Sequence, residues 1–250
     1  MIQKLKHLFS PSTPAKNLLF LSGLLVFTGL FPIQQPFPPD NLPADITLKM
    51  PRGKPDIQQN AGFNLPLEAE VSEISGKRQS LPLSCESRSA VDWAGYFGTE
   101  IDEIEFFEGI PSSDNPDLGF VGDVNGSWGQ IPPDPYGVHA EPVAQRLREY
   151  RLKAKAVRGM TLEEIQAEIA SGQPVITWVI GHVGFGDSEE YTASSGETTV
   201  VAKFEHTVVV IGYTENKITV LDGSRIYSVY KKTFTRSWDV LGNQAVIWID

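Results

Sequence analysis

The chain contains a single cysteine, Cys85, and its surroundings favour nucleophilic chemistry. Ser84 is a good N-cap residue, and the apolar residues that follow recur with the period of one helix face: Ala90, Trp93, Ala94 and Phe97. Cys85 is therefore expected in the first turn of a helix, where free backbone N–H groups and the helix dipole stabilise an anion. A thiol in that position ionises more readily and becomes a nucleophile. A buried, inert cysteine is the alternative.

Two residues of the C-terminal third can serve this thiol as a base and as the partner of the base. His206 lies near the start of a β-branched segment, and Asp222 ends the next apolar segment. A hairpin with its turn near Glu215 places them roughly side by side, since position 214 is their midpoint. An acid beside a histidine fixes its tautomer and stabilises the imidazolium, which in turn stabilises a thiolate. With Gln79 as an amide donor for an oxyanion, the set has the logic of acyl transfer, whereas a satisfied core histidine is the alternative for His206.

The flanking segments predict the elements that must hold these residues in place. Besides the helix after Ser84, helices are predicted at Asp102–Gly109, Glu141–Tyr150 and Thr161–Ser171, the last with a capping box. Strands are predicted at Pro174–Ile180, Lys203–Tyr213, Lys217–Asp222, Arg225–Tyr230 and Ala245–Ile249. Because the helices precede the strands, this order predicts an α+β domain with its N-terminal helices packed on an antiparallel sheet.

A long segment rich in glycine, proline and aspartate, Pro111–Tyr136, predicts a functional loop or a wrapped surface loop. Its Trp128, Gln130 and Tyr136 can line a substrate cleft, although packing of the loop explains them equally well. Glu205 neighbours His206 on the opposite face of its strand and is expected to be structural or to lie at the rim of the cleft.

No metal centre and no cofactor are predicted. A calcium loop in the long segment is rejected because Trp128 occupies the glycine position. His139, His182 and His206 could form a three-histidine zinc site, but they lack the i, i+4 pairing typical of one. His139 is instead expected to bind loop backbone, and His182 to lie on the surface. A single cysteine also excludes an internal disulfide and a cysteine-based structural zinc site.

Charge and the N-terminal pattern indicate where the protein acts. The net charge of −10 argues against nucleic acid as a partner, because no basic surface is available to neutralise phosphates. Three lysines precede Leu18–Phe31, an uncharged apolar stretch, so residues 1–33 are predicted to be a signal peptide or a membrane signal-anchor. No small-x-small cleavage site follows, which leaves both open. Residues 34–70 read as a proline-rich spacer and 71–250 as the globular domain, exported and secreted or anchored in the membrane.

The same residues resemble the papain-like cysteine peptidases, and more narrowly the C39 peptidase-like group of bacterial exported proteins. The resemblance covers about residues 76–250. It rests on four segments: Gln79-x5-Cys85 with LPLSCESRSAVDW, YGVHA from Tyr136, FEHTVVVIGY around His206, and TVLDG with Asp222.

This resemblance implies a papain-like fold and a thiol hydrolase that needs no cofactor. Gln79 would build the oxyanion hole, Cys85 would attack, His206 would be the base and Asp222 would orient it. A peptide, a protein or a peptidoglycan peptide would be the substrate. The chain departs from the transporter-borne leader peptidases of this clan, which usually read Cys-Gly where this chain reads Cys85-Glu86, and this leaves the substrate open.

Two alternatives stand beside a peptidase. A cell-wall amidase or an acyltransferase would use the same site, and would differ from a peptidase in its products. A non-catalytic binding module would keep the fold but lack turnover, and the reactivity of the thiol separates it from the enzymes.

Overall fold

The computed structural model describes residues 64–249, which belong to the second of two compact units, Gln58–Asp250. The helices in this range are α1 (Cys85–Tyr96), α2 (Glu103–Glu108), α3 (Ala140–Glu149), α4 (Leu162–Ala170) and α5 (Lys231–Asp239). The strands are β1 (Ala69–Glu70), β2 (Ala154–Val157), β3 (Val175–Ile180), β4 (Ser188–Thr192), β5 (Thr198–Ala202), β6 (Glu205–Tyr213), β7 (Lys217–Asp222), β8 (Arg225–Tyr230) and β9 (Ala245–Trp248).

The predicted N-terminal leader, residues 1–33, and most of the predicted spacer lie outside the described residues. Among the helices of residues 64–249, none is long and apolar enough to cross a membrane.

The centre of the domain is an antiparallel sheet of seven strands. Six of them follow the order β2-β9-β3-β6-β7-β8, and β1 pairs with the end of β6. All nine residues of β6 are buried, as its β-branched sequence favours. Strands β4 and β5 form a separate two-stranded hairpin. Strand β3 pairs with β6 from its first residue, and β7 pairs with β6 from Val209 onward, so the start of β6 has a fixed position.

Helix α1 packs on β6 through its apolar face. Trp93 and Ala94 are fully buried, and the indole of Trp93 donates to the Pro174 carbonyl (2.7 Å), just before β3. One turn after Cys85, the Ser89 hydroxyl lies 3.0 Å from the Thr207 hydroxyl. These contacts hold the first turn of α1 against the start of β6.

A second set of bonds anchors the N-terminus of α1. Ser84 occupies the predicted N-cap position, but its hydroxyl makes no capping bond and donates instead to the buried Glu103 carboxylate at the start of α2 (2.6 Å). The same carboxylate accepts from Ser80 and from Arg88. The loop that carries Gln79 and the turn that carries Cys85 are thereby tied to α2.

Every helix and strand predicted from the sequence is present, with ends shifted by at most two residues. Five elements of the described range had no predicted bounds: the two-residue strand β1, together with β2, β4, β5 and α5. Strand β2 is only four residues long, β4 is almost wholly exposed, and α5 begins with polar and β-branched residues. None of them carries an apolar pattern long enough to detect. Helices therefore do not simply precede strands, although the α+β class stands.

Candidate active site

Residues from separate parts of the chain line one cavity of about 200 Å³: Gln79, Pro82, Cys85, Trp128, His182 and His206. Helix α1 supplies the cysteine, β6 supplies His206, and loops supply the remainder. A larger groove of about 730 Å³ shares Gln79, Pro82, His182 and His206 with this cavity. The two adjoin, so the thiol and the imidazole lie at one end of an extended cleft.

Cys85 is the first residue of α1, as predicted, and is 6% exposed. Its Sγ donates to Oε2 of Glu86 (3.3 Å). Burial raises the pKa of the Cys85 thiol well above its ordinary value, and the negative charges of Glu86 and Glu205 raise it further, against a smaller opposite effect of the Thr207 backbone N–H. The resting site therefore holds a protonated thiol, in contrast to the activated thiolate expected from helix position alone.

His206 and Asp222 meet as predicted, but not from directly opposite positions. The turn is centred on Glu215–Asn216, so Val209 faces Leu221 and the register extends to place Asp222 opposite Val208. His206 lies two residues further along the same face of β6, a diagonal that long side chains can span. Nε2 of His206 is 2.9 Å from Oδ1 of Asp222, which leaves Nδ1 as the ring nitrogen available for a proton.

The Asp222 carboxylate has further partners on its second oxygen. Tyr227 donates its hydroxyl to Oδ2 (2.9 Å), and Nδ1 of His182 lies 2.6 Å from the same atom. Partial burial alone would raise the pKa of Asp222, but the bonds and charge of His206, with Tyr227 and His182, hold it well below its ordinary value. Asp222 therefore stays ionised beside His206. Gly223, with φ of +56°, makes the tight turn into β8 immediately after it.

This chain is similar to a known protein family and to solved structures of peptidases. The model of the Peptidase_C39 like family matches residues 70–246. The chain belongs to this family. A candidate C39-like peptidase from Bacillus anthracis has the same fold, with a TM-score of 0.64 at 23% identity over 73% of this chain and 98% of that one. The fold is therefore the papain-like α+β type that the sequence predicted.

Other solved cysteine peptidases are more distantly similar. Xylellain, a cysteine protease from Xylella fastidiosa, aligns over 74% of this chain and 87% of its own with 11% identity and a TM-score of 0.43. The peptidase domain of Streptococcus ComA, a bifunctional ABC transporter, aligns over 71% and 99% with 12% identity and a TM-score of 0.42. No curated protein sequence matches the chain.

Gln79 of this C39-like domain lines the cavity, but its amide is engaged. Nε2 donates to the carbonyls of Leu81 and Pro82, both at 2.9 Å. An amide nitrogen has two hydrogens, so neither is directed at an oxyanion in this conformation. The role of Gln79 as an oxyanion donor remains a prediction.

The four residues predicted to bind substrate occupy three different environments. Trp128 lines the cavity, is 41% exposed and donates its indole N–H to the Glu205 carbonyl (2.9 Å). Gln130 is exposed on the long loop. Tyr136 and Glu205 are buried, and the Tyr136 hydroxyl accepts the Ala202 backbone N–H. Trp128 alone of the four is placed to touch a substrate beside Cys85, and the other placements favour the structural alternatives.

His182 is the site residue that sequence reasoning missed. Its ring stands 5.2 Å from that of His206, nearly perpendicular, and its side chain is about half exposed. It lies two residues beyond β3, whose pairing with β6 brings Ile180 opposite Glu205. The sequence names no partner for β3, so nothing in it pointed to this neighbour. Glu86, noted only as a departure from the Cys-Gly pattern, proves to be the hydrogen-bond partner of the thiol.

Two sets of side chains in the described residues have ligand-type atoms within 4.8 Å of one another: His182 with His206 and Asp222, and Cys85 with Glu86 and Glu205. In the first set the nitrogens nearest to Asp222 already bond its carboxylate. In the second, the Glu86 oxygens accept hydrogens from Sγ and from the Val138 backbone. His139 belongs to neither set, because Nδ1 of its ring bonds Oδ1 of Asp117 (2.5 Å).

Proposed function

We propose that this C39-like protein is a thiol-dependent hydrolase, a cysteine peptidase that cleaves peptide bonds through Cys85, His206 and Asp222. One observation carries the proposal: Cys85 and His206 line the same cavity, while Asp222 holds the far nitrogen of the His206 ring. A nucleophile, a base and an orienting acid are the three parts that acyl transfer requires.

In the proposed reaction, Nδ1 of His206 takes the proton of the Cys85 thiol, and Sγ attacks the carbonyl carbon of the substrate. The tetrahedral intermediate collapses as the imidazolium returns that proton to the leaving amine, and a thioester remains on Sγ. His206 then removes a proton from water, which attacks the thioester carbonyl; the C–S bond breaks, the acid leaves, and the imidazolium returns the proton to Sγ. Asp222 stays ionised throughout and stabilises each imidazolium.

Oxyanion stabilisation is the part of the mechanism that requires movement. The backbone N–H of Cys85, at the first position of α1, has no acceptor within the helix and can donate to the oxyanion. Gln79 can add a second donor only after its amide turns away from the Leu81 and Pro82 carbonyls. The proposal therefore includes a rearrangement of this loop when substrate enters.

The substrate class and location follow from the cleft and the leader. The groove of about 730 Å³ continues away from the thiol and accommodates several residues of an extended peptide. We propose a peptide, protein or peptidoglycan-peptide substrate outside the cytoplasm, reached after export directed by residues 1–33.

One observation favours the non-catalytic binding module instead. The pKa of the Cys85 thiol is raised by burial and by neighbouring carboxylates, which is the opposite of what a ready nucleophile needs. If substrate binding does not reverse this effect, the protein keeps the cleft and lacks turnover.

Alkylation of the thiol as a function of pH separates these outcomes. Iodoacetamide reports Cys85 alone, because the chain has one cysteine. In the presence of a peptide library, we expect labelling to remain fast at pH values below about 8.5, which is the ordinary pKa of a free thiol. The variant His206→Ala should keep the fold and lose this fast labelling at low pH. Mass spectrometry of the library identifies cleaved products, or amine adducts in the case of an acyltransferase. Identical labelling of the two proteins and no product would contradict the proposal.

A further inference from the structure

Two buried carboxyl groups lie beside the nucleophile, and the mechanism above does not use them. Glu86 follows Cys85 in α1, and Glu205 precedes His206 in β6. Their exposed fractions are 1% and 2%. One oxygen of each carboxyl group and Sγ of Cys85 all lie within 4.8 Å of one another. Helix and sheet thus each contribute one acid to the back of the thiol.

The two carboxyls differ in their hydrogen bonds. Glu86 accepts the Val138 backbone N–H at Oε1 (2.7 Å) and the thiol at Oε2 (3.3 Å). Neither oxygen of Glu205 has a hydrogen-bond partner. Within residues 64–249, no lysine, arginine or histidine forms an ion pair with either carboxyl.

Gly137 provides the space in which the two groups meet. A Cβ at this position would lie 2.3 Å from Oε1 of Glu86 and 2.8 Å from Oε2 of Glu205, too close for any real side chain. One oxygen of each carboxyl therefore lies against the same point of backbone, and the φ of +148° also favours glycine here.

Two carboxylates this close, buried and without a cation, cannot both carry a charge. Burial raises the pKa of both, and the charge of Glu86 adds to the effect at Glu205. The group that receives hydrogen bonds is stabilised as the anion, and the group that receives none is the one that keeps a proton. This identifies Glu86 as the ionised member and Glu205 as the protonated member.

We propose that Glu86 and Glu205 together hold a single proton, which resides on Glu205, and that the resting Cys85 thiol donates its hydrogen bond to Glu86 rather than to His206. The pair acts as a positioning element that keeps the nucleophile protonated until substrate displaces the thiol from Glu86 towards His206. The other titratable group that faces it is Tyr136, from the long loop, whose pKa is raised by burial and by the negative charges of Glu205 and Glu86. This inference rests on the proposed role of Cys85 as the nucleophile.

The sign of the effect follows from the charge. With Glu86 ionised, forming a thiolate places two negative charges 3.3 Å apart in a buried site. Replacing Glu86 by glutamine removes that charge, while its amide oxygen still accepts from Val138 and its amide hydrogens donate to sulfur. Replacing Glu205 by glutamine removes a group that is already neutral, so the charge at the thiol is unchanged.

The test compares iodoacetamide labelling rates of the full-length protein, without substrate, across pH 5 to 9. We expect Glu86→Gln to label about tenfold faster or more at pH 7, since one pKa unit is a tenfold change in thiolate. Glu205→Gln should stay within about threefold of wild type by the same relation. Asp92→Asn is the matched control, because it removes another buried carboxyl of α1 that does not contact the thiol, and it should label like wild type.

Slower labelling of Glu86→Gln, or equal shifts in both variants, would overturn the proposal and leave the pair a merely structural role. A wild-type rate that rises on adding a chelator would also overturn it, by placing a cation where the proton is proposed. If Glu86→Gln does not fold, infrared spectroscopy at pH 8 decides: wild type should retain the C=O stretch of one protonated carboxyl that Glu205→Gln lacks, and its absence from wild type would refute the shared proton.

These outcomes are separate from the fate of the peptidase proposal. Labelling without substrate reports the thiol whether or not the protein turns over a peptide. His206→Ala and product analysis test catalysis, whereas the contrast between Glu86→Gln and Glu205→Gln tests the carboxyl pair.

Discussion

Two buried histidines of residues 64–249, His206 and His139, each lie against an aspartate, and the two pairs differ in their surroundings. Nε2 of His206 is 2.9 Å from Oδ1 of Asp222, and Nδ1 of His139 is 2.5 Å from Oδ1 of Asp117. Both imidazoles are buried, at 7% and 0% exposed. The first lines a cavity with Cys85, whereas Nε2 of the second is buried without a hydrogen-bond partner.

The difference shows that pairing with an acid does not by itself make a histidine a base. Burial lowers the pKa of His139, against the opposing effect of Asp117, so its ring is neutral at neutral pH. Asp117 also forms an ion pair with the partly exposed Arg158, so the charge of the carboxylate is partly neutralised from the surface. His139 is the N-cap residue of α3 and ties this helix to the long loop. What distinguishes His206 is that it lines a cavity together with Cys85.

Removing the acid of each pair should give the largest contrast. We expect Asp222→Asn to lower the kcat of peptide cleavage on the order of 10²- to 10⁴-fold, because the imidazolium loses its stabilising charge and its tautomer changes. Asp117→Asn, the matched change in the other pair, should keep kcat within about threefold and lower the unfolding free energy by about 1–3 kcal/mol. Steady-state kinetics and urea unfolding measure both. Comparable losses of kcat in the two variants would make the second pair part of the catalytic machinery.

Acid stability should reveal the structural pair. Burial alone would raise the pKa of Asp117, but the bond and charge of His139, with Thr199 and Arg158, lower it from 3.8 to about 2. A depressed carboxyl pKa contributes stability that is complete above the unfolded value and is lost as pH falls through the folded value. Between pH 4 and pH 2, wild type should therefore lose more unfolding free energy than Asp117→Asn, as measured by urea denaturation. Equal pH dependence of the two proteins would mean that Asp117 is not stabilised by this pairing.

The smallest expected effect is that of replacing His182, a residue that has no counterpart beside the His139–Asp117 pair. His182→Ala removes one of the partners of Oδ2 of Asp222 and keeps Tyr227. We expect kcat/KM to fall by about three- to tenfold, corresponding to one hydrogen bond of about 1 kcal/mol. A loss as large as that of Asp222→Asn would make His182 a main partner of the base.

Local sequence determined the elements of the fold and the three residues proposed to act. Helix α1 follows from a cap residue and apolar spacing, and β6, β7 and β8 follow from alternating and β-branched segments. The positions of Cys85, His206 and Asp222 at element ends were visible for the same reason. Strand β4 was not visible because its residues lie largely at the surface, and helix α5 was not visible because only Phe234, Ser237 and Trp238 of its residues are buried.

Tertiary structure decided what surrounds those three residues. The pairing of β3 with β6 brings His182 to Asp222, and the packing of α1 on β6 brings Glu86 to Glu205 across Gly137. Neither contact leaves a signal in the spacing of residues, since each joins segments more than 35 positions apart in the chain. The electrostatic state of the thiol depends on that packing, because burial and two nearby acids raise the pKa of Cys85. Sequence alone thus located the proposed nucleophile, and only the folded environment set the electrostatics around its thiol.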